Sequence, residues 1–201
     1  MDALQQLHDA VKSGADSLVR ELLHDNPTLD VNWLDKLSQT FLHHACCNGH
    51  HVTISLLLAH PGIEPNRRNG NGDTPFALSC VNGRPACVEV LLHDSRVDIN
   101  ESGGSKSPLR WAASSGHLDI IKWMIASGRE LDIRPSGPDS VDPIKEVKSP
   151  KKEAWETDAV FDARKKRLGP VAEWLQRFKE KPTLAKDEAR RDLGISCKLF
   201  S

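Results

Sequence analysis

From Thr40 to Asn66 the chain reads TFLHHACCNGHHVTISLLLAHPGIEPN, and the same pattern returns along the sequence at nearly constant spacing. With Thr40 as origin, Ala45 and Gly49 are followed by an apolar set, Ile54, Leu56, Leu57 and Leu58, and then by Asn66. The same ruler laid at Thr74 meets Ser79, Gly83, Val88, Val90, Leu91, Leu92 and Asn100. Laid at Ser107 it meets Ala112, Gly116, Ile121, Trp123, Met124 and Ile125, and upstream Ala10, Gly14, Val19, Leu22, Leu23 and Asn32 take the same places. Gly14, Gly49, Gly83 and Gly116 are therefore 35, 34 and 33 residues apart. A period of that size argues against one closed core and for stacked supersecondary units, each covering an apolar face that its neighbour cannot bury alone.

The chemistry within each unit is local. Thr40, Thr74 and Ser107 stand where a helix begins, and their side-chain oxygens accept a hydrogen bond from a first-turn N–H that has no partner inside the helix. Pro75 and Pro108 follow at the first helical position, where a missing N–H costs nothing. The glycine ends this short helix because turning the chain back needs a left-handed residue, and glycine has no Cβ to oppose it. A second, more apolar helix returns antiparallel. Turns at Pro61-Gly62, Asp94-Ser95 and Ser127-Gly128 then lead into an extended finger. In the opening unit Asp2 is the expected N-cap, Leu4, Leu7 and Val11 share one helical face, and the polar outer positions suit the end of a stack.

The motifs TFLHHA, TPFALS and SPLRWA resemble the ankyrin signature T-P-L-H-x-A, and the period of about 33 residues agrees with it. The resemblance implies an all-α repeat protein, an ankyrin-repeat solenoid of antiparallel helix pairs with finger-like β-turn or hairpin loops. It places a capping repeat at 1–32 and repeats at 33–66, 67–100 and 101–133 in an array over 1–133. The next match, at Asp158, comes 51 residues after Ser107, so the Pro-, Ser- and Lys-rich segment 134–157 is expected to be an exposed, mobile insert. A degenerate capping repeat and a terminal helix are expected over 158–201. There Asp158 would cap, and Val171, Ala172, Trp174 and Leu175 fall on second-helix offsets. Arg167 stands where glycine should be, Gly169 comes two residues late, and PTLAKDEARRDLG reads as a charged helix ended by Gly194.

No apolar run approaches the roughly 18 residues of a membrane span, and MDALQQLHDAVKSG lacks the basic and apolar regions of a secretion signal. Five cysteines, two of them adjacent, do not look like a disulfide framework. The protein is expected in the cytoplasm, and also in the nucleus if the basic run Arg164-Lys165-Lys166-Arg167 is an import signal rather than a solvated helix face. Residues 1–133 hold 11 Lys and Arg against 16 Asp and Glu, whereas 134–201 hold 16 against 12. The acidic balance of the array argues against a nucleic-acid partner at its face, and aromatic residues are not interleaved in the basic run.

HHACCNGHH, His43 to His51, invites a metal-binding or enzymatic reading. Its spacing lacks the C-x₂-C and H-x₃₋₅-H layout of structural zinc sites, and the repeat register accounts for His43, His50 and the small buried Cys46, with Cys80 in the same place one repeat on. NGNGD, Asn69 to Asp73, lacks the Gly-Lys-Ser/Thr ending of a phosphate loop and reads as a finger turn. Nothing nominates a nucleophile, so the expectation is a protein that is not an enzyme, with no cofactor and no metal. Ser149-Pro150-Lys151-Lys152 has the form of a proline-directed phosphorylation site.

By the resemblance, finger tips and the outer side of each first helix line a concave partner-binding face. That face would include Trp33, Lys36, Leu37, Gln39, Cys47, Asn48, Arg67, Arg68, Asn71, Asp73, Val81, Asn82, Lys106, Ser114, Ser115 and Trp155, centred on Trp33 with Arg67 and Arg68. The implied function is a monomeric, non-catalytic scaffold or adaptor that binds another protein. The alternative within binding is a stoichiometric inhibitor or regulator of a kinase or transcription factor.

Overall fold

The computed structural model describes residues 3–101, 106–133, 142–154 and 156–195, and every regular element among them is an α-helix. The fold divides into two compact units, Met1–Gly104 and Ser105–Ser201. Position 2, the expected first cap, lies outside the described residues. No described helix is long and apolar enough to cross a membrane.

The first unit is three antiparallel pairs: α1 (Ala3–Ser13) with α2 (Asp16–Asp25), α3 (Phe41–Asn48) with α4 (His51–Leu58), and α5 (Pro75–Val81) with α6 (Pro85–Leu92). The first helices α1, α3 and α5 pack in series, as do the second helices α2, α4 and α6. Thr40 Oγ1 accepts from the His43 N–H at 3.3 Å and Thr74 Oγ1 from the Ala77 N–H at 3.2 Å, as the repeat chemistry requires. Gly49 reverses the chain at φ 91° and Gly83 at φ 65°. Leu7, Val11, Val19, Phe41, Leu42, Ile54, Leu57, Phe76, Val88 and Leu91 are completely enclosed between the helices. Each such side chain contributes about 1.5–3 kcal/mol by leaving water, which no single pair achieves alone.

The asparagines that close the first two repeats each fasten their repeat to the next. Asn32 Nδ2 donates to the Gly62 carbonyl at 2.7 Å, and its Oδ1 accepts from the Glu64 N–H at 2.9 Å. Asn66 does the same one repeat later, to the Arg96 carbonyl and from the Asp98 N–H, both at 2.7 Å.

The second unit begins with one further pair, α7 (Pro108–Ser115) and α8 (Leu118–Ser127), with Ser107 capping the Arg110 N–H at 3.4 Å and Gly116 at φ 76°. Three helices cover it: α9 (Pro143–Lys148) against α7, α10 (Asp158–Glu180) against α7 and α8, and α11 (Pro182–Asp192) against α8 and α10. Arg190 of α11 donates to the Ala126 carbonyl at 2.8 Å, satisfying an acceptor in the last turn of α8.

Three expectations are corrected here. The segment 134–157 is not a uniformly exposed insert, because α9 lies inside it with Pro143, Ile144 and Val147 buried and Asp142 capping the Ile144 N–H at 2.8 Å. Its polar composition concealed an apolar face only one turn long. The capping repeat is not a helix–turn–helix, because α10 runs unbroken for 23 residues through Arg167, Gly169 and Pro170. Leu168, Val171, Ala172 and Leu175 bury on one side while Gly169 and Pro170 face outward, so tertiary packing outweighs two helix breakers; the cap is Thr157, not Asp158. Trp111, Trp123 and Trp174, which fall on core offsets of the repeat and so are expected inside, are half-buried, and Lys106 lies 5.0 Å over Trp111 and Lys122 5.1 Å over Trp174.

Candidate protein-binding face

Two finger turns in the first unit follow one design. Asp35 Oδ1 accepts from the N–H groups of Leu37 at 2.8 Å and Gln39 at 2.9 Å, while the Asp35 N–H donates to the Gln39 carbonyl at 3.0 Å. In the next finger Asn69 Oδ1 accepts from Asn71 at 2.9 Å and Asp73 at 3.0 Å, and the Asn69 N–H donates to the Asp73 carbonyl at 3.0 Å. An Asx side chain that mimics backbone closes each tip. The Gly70 N–H donates to the Leu37 carbonyl at 3.1 Å and joins the two tips into one ridge. A Cβ at position 70 would stand 3.0 Å from that carbonyl oxygen, so the glycine permits the close approach.

On this ridge Leu37 is 67% exposed, with Lys36, Arg68 and Asn71 exposed beside it. Arg68 pairs with Glu101 at 2.6 Å and Arg67 with Glu64 at 3.4 Å. Trp33, the expected centre, is half-buried: its ring stacks on Phe41 with centroids 5.7 Å apart and meets the edge of His8 at 5.6 Å. Leu37 is therefore the large apolar side chain that the ridge presents, and Trp33 packs inside the unit. Asn48 and Asn82 are exposed at the ends of α3 and α5, Cys47 and Val81 are half-buried next to them, and Asn82 Nδ2 reaches Cys47 Sγ at 3.8 Å. Gln39 and Asp73 are half-buried at the finger bases, where burial raises the Asp73 carboxyl above its usual range.

In the second unit the expected face is covered by its own chain. Glu146 of α9 takes Lys106 at 2.8 Å and Arg110 at 3.1 Å, and the Ser114 carbonyl accepts from Arg164 at 3.3 Å. Lys106, Ser114 and Ser115 are all half-buried. Trp155 lies outside the described residues. Ser149 is exposed at the C-terminus of α9.

The His/Cys segment separates into different environments. His43 Nδ1 accepts from the Thr40 N–H at 3.1 Å and its Nε2–H donates to the Asp73 carbonyl at 3.0 Å, so both nitrogens are used in the neutral ring. Burial pushes its pKa down to about 4. Cys46, Cys80 and Cys87 are enclosed, and burial raises each thiol, Cys87 to about 11, so none is a nucleophile at neutral pH. His44 points elsewhere, to Asp35 at 2.9 Å and His8 at 3.3 Å. Sequence spacing did not reveal this grouping, because His8 and His44 are 36 residues apart.

The family model for ankyrin repeats (3 copies) matches residues 7–103 and 62–135, together more than half of the chain. The chain belongs to the ankyrin-repeat family. It is similar to the human SMC5-SMC6 complex localization factor protein 1, 33% identical over 113 residues that make up 56% of this chain and 11% of that protein. An ankyrin repeat-containing protein of Schizosaccharomyces pombe is 33% identical over 118 residues, 56% of this chain and 49% of that one. A probable E3 ubiquitin-protein ligase of Oryza sativa is 32% identical over 123 residues, 61% of this chain and 25% of that one. The chain thus spans at most about half the length of these relatives. Ankyrin repeats are generally non-catalytic protein–protein interaction modules.

Proposed function

We propose that the first unit is a non-catalytic recognition module that takes an acidic or amphipathic segment of another protein along the ridge formed by its two finger tips and the adjoining ends of α3 and α5. The observation that supports this reading is the 67% exposure of Leu37, a large apolar side chain held on a rigid, doubly hydrogen-bonded turn and joined to the next tip through Gly70. Apolar area on a preordered loop is a favourable anchor because little conformational freedom is lost on binding. Arg67 and Arg68 stand beside it, and their pairs with Glu64 and Glu101 are exposed enough to exchange for a partner's carboxylates at small cost.

A photo-crosslinking residue tests the face directly. Placed at position 37 in the intact chain, it is expected to capture a discrete protein partner, whereas the same residue at the exposed Arg20 of α2 is expected not to. Equal capture at both positions, or capture at position 20 alone, would move recognition away from the ridge.

A further inference from the structure

We propose that His8, Asp35 and His44 form a site for a divalent first-row transition-metal ion, with zinc the leading occupant, at the junction of the first two helix pairs. The three residues come from α1, the first finger and α3, and their ligand atoms lie within 4.8 Å of one another. His8 Nε2 and His44 Nε2 are 3.3 Å apart. Two nitrogens bonded to one tetrahedral zinc at its usual bond length stand about 3.3 Å from each other. Asp35 Oδ2 is 2.9 Å from His44 Nε2, a little under the edge of a tetrahedral site.

Proton placement argues for a cation rather than a hydrogen-bond chain. A carboxylate only accepts, so without metal the Asp35 contact requires the proton of His44 on Nε2. That nitrogen then cannot accept from His8, whose own proton is left on Nδ1. His8 Nδ1 is buried and has no hydrogen-bond partner, with the Asp9 carboxylate oxygen 3.6 Å away. Moving the proton to His8 Nε2 sets two N–H groups against each other. A bound cation uses both Nε2 lone pairs at once, with both rings carrying their protons on Nδ1. The Asp9 carboxylate oxygen, 3.6 Å from His8 Nδ1, lies near that proton without a hydrogen bond to it.

The finger supplies the third ligand already oriented. Asp35 Oδ1 is held by the Leu37 and Gln39 N–H groups, which leaves Oδ2 directed at His44. Asn69 closes the following finger with the same two bonds and no charge, so the turn itself does not need a carboxylate. The negative charge at position 35 has a separate use, and the site supplies it. Two imidazoles and one carboxylate favour zinc and its neighbours in the first row over magnesium or calcium, and leave a fourth tetrahedral position for water.

The test uses the intact chain, freed of metal by a chelator and titrated with Co²⁺, then with Zn²⁺ in competition and with Mg²⁺ as a control. One equivalent of Co²⁺ should bind with the visible absorption of a four-coordinate ion, Zn²⁺ should displace it, and Mg²⁺ should not. His8→Ala and His44→Ala should each weaken binding by about 100-fold or more, whereas His51→Ala and His60→Ala should leave it within about twofold. Asp35→Asn guards against misfolding, because Asn69 shows that the turn accepts asparagine; it should keep the wild-type circular dichroism and still lose about 100-fold in affinity. Wild-type affinity in Asp35→Asn, loss of the ion only in His51→Ala or His60→Ala, or no binding of Co²⁺ or Zn²⁺ at about 100 μM would overturn the assignment.

Discussion

Glu156 is gripped by Arg164 through two bonds of 2.7 Å, Nε to Oε1 and a terminal nitrogen to Oε2, and its side chain is wholly shielded from solvent. The guanidinium, followed by the Glu153 N–H, holds the Glu156 carboxyl down to about 2 from an ordinary 4.5. A carboxylate that titrates lower when folded stabilises the fold above its unfolded pKa and loses that contribution as the folded group is protonated. Stability of the second unit should therefore be intact above pH 4.5 and decline as the pH falls from 4.5 towards 2. Glu156→Gln should flatten that decline in unfolding followed by circular dichroism across this window. An identical slope in the variant would show that the pair contributes nothing to acid sensitivity.

His43 titrates in the opposite sense of charge. Burial, outweighing the bond to the Asp73 carbonyl that favours the charged ring, lowers its pKa from 6.5 to about 4, so the unfolded chain takes up this proton before the folded one does. Stability from this group is full above pH 6.5 and falls as the pH drops towards 4, by about 3 kcal/mol in all. Burial lowers His44 as well, which adds to the slope. NMR titration of the His43 ring should give a midpoint near 4, and His43→Gln should reduce the pH dependence between these limits. A ring that titrates near 6.5 would contradict the enclosed geometry.

Leu57 is completely enclosed on α4, which packs against α2, α3 and α6. Leu57→Ala should cost about 2–5 kcal/mol in denaturant unfolding, the transfer of the lost atoms plus the cavity they leave. A cost below about 1 kcal/mol would mean that neighbouring helices close over the gap, which packed repeats are not expected to do.

What the sequence disclosed was the chemistry that acts over a few residues. Thr40, Thr74 and Ser107 cap their own helices, and Gly49 and Gly116 reverse their own chain, so their roles could be read from nearest neighbours. Contacts set by packing were not readable. Gly169 and Pro170 signal a break, yet α10 continues because Leu168, Val171, Ala172 and Leu175 gain more by burial than the breakers lose. Arg167, which stands where the repeat has glycine, lies where a Cβ on Gly116 would meet it at 2.9 Å, so a long helix serves where the register suggested a turn. Arg164 looked like part of a free basic run, and its partner Glu156 was hidden in what read as an exposed insert. Trp33 carried the residue type of an interface anchor, but only the fold shows its ring against Phe41 and His8.

The binding face yields the remaining prediction. Leu37 is exposed on a turn fixed by Asp35, and truncating it leaves the backbone bonds of the turn in place. Leu37→Ala should therefore weaken a partner by about 2 kcal/mol if it is the anchor, with no change in thermal stability. Trp33→Ala is a different kind of change, because its ring packs on Phe41 and His8 inside the unit. It should lower stability as well as affinity, and the two variants are separated by measuring both quantities on the same samples. Changing Arg67 and Arg68 to alanine should remove charge complementarity while breaking only exposed pairs, so its effect should shrink as salt is raised. If Leu37→Ala and the double arginine variant both bind with unchanged affinity, recognition does not use the ridge, and the exposed basic side chains Lys165 and Lys166 of α10 become the surface to test.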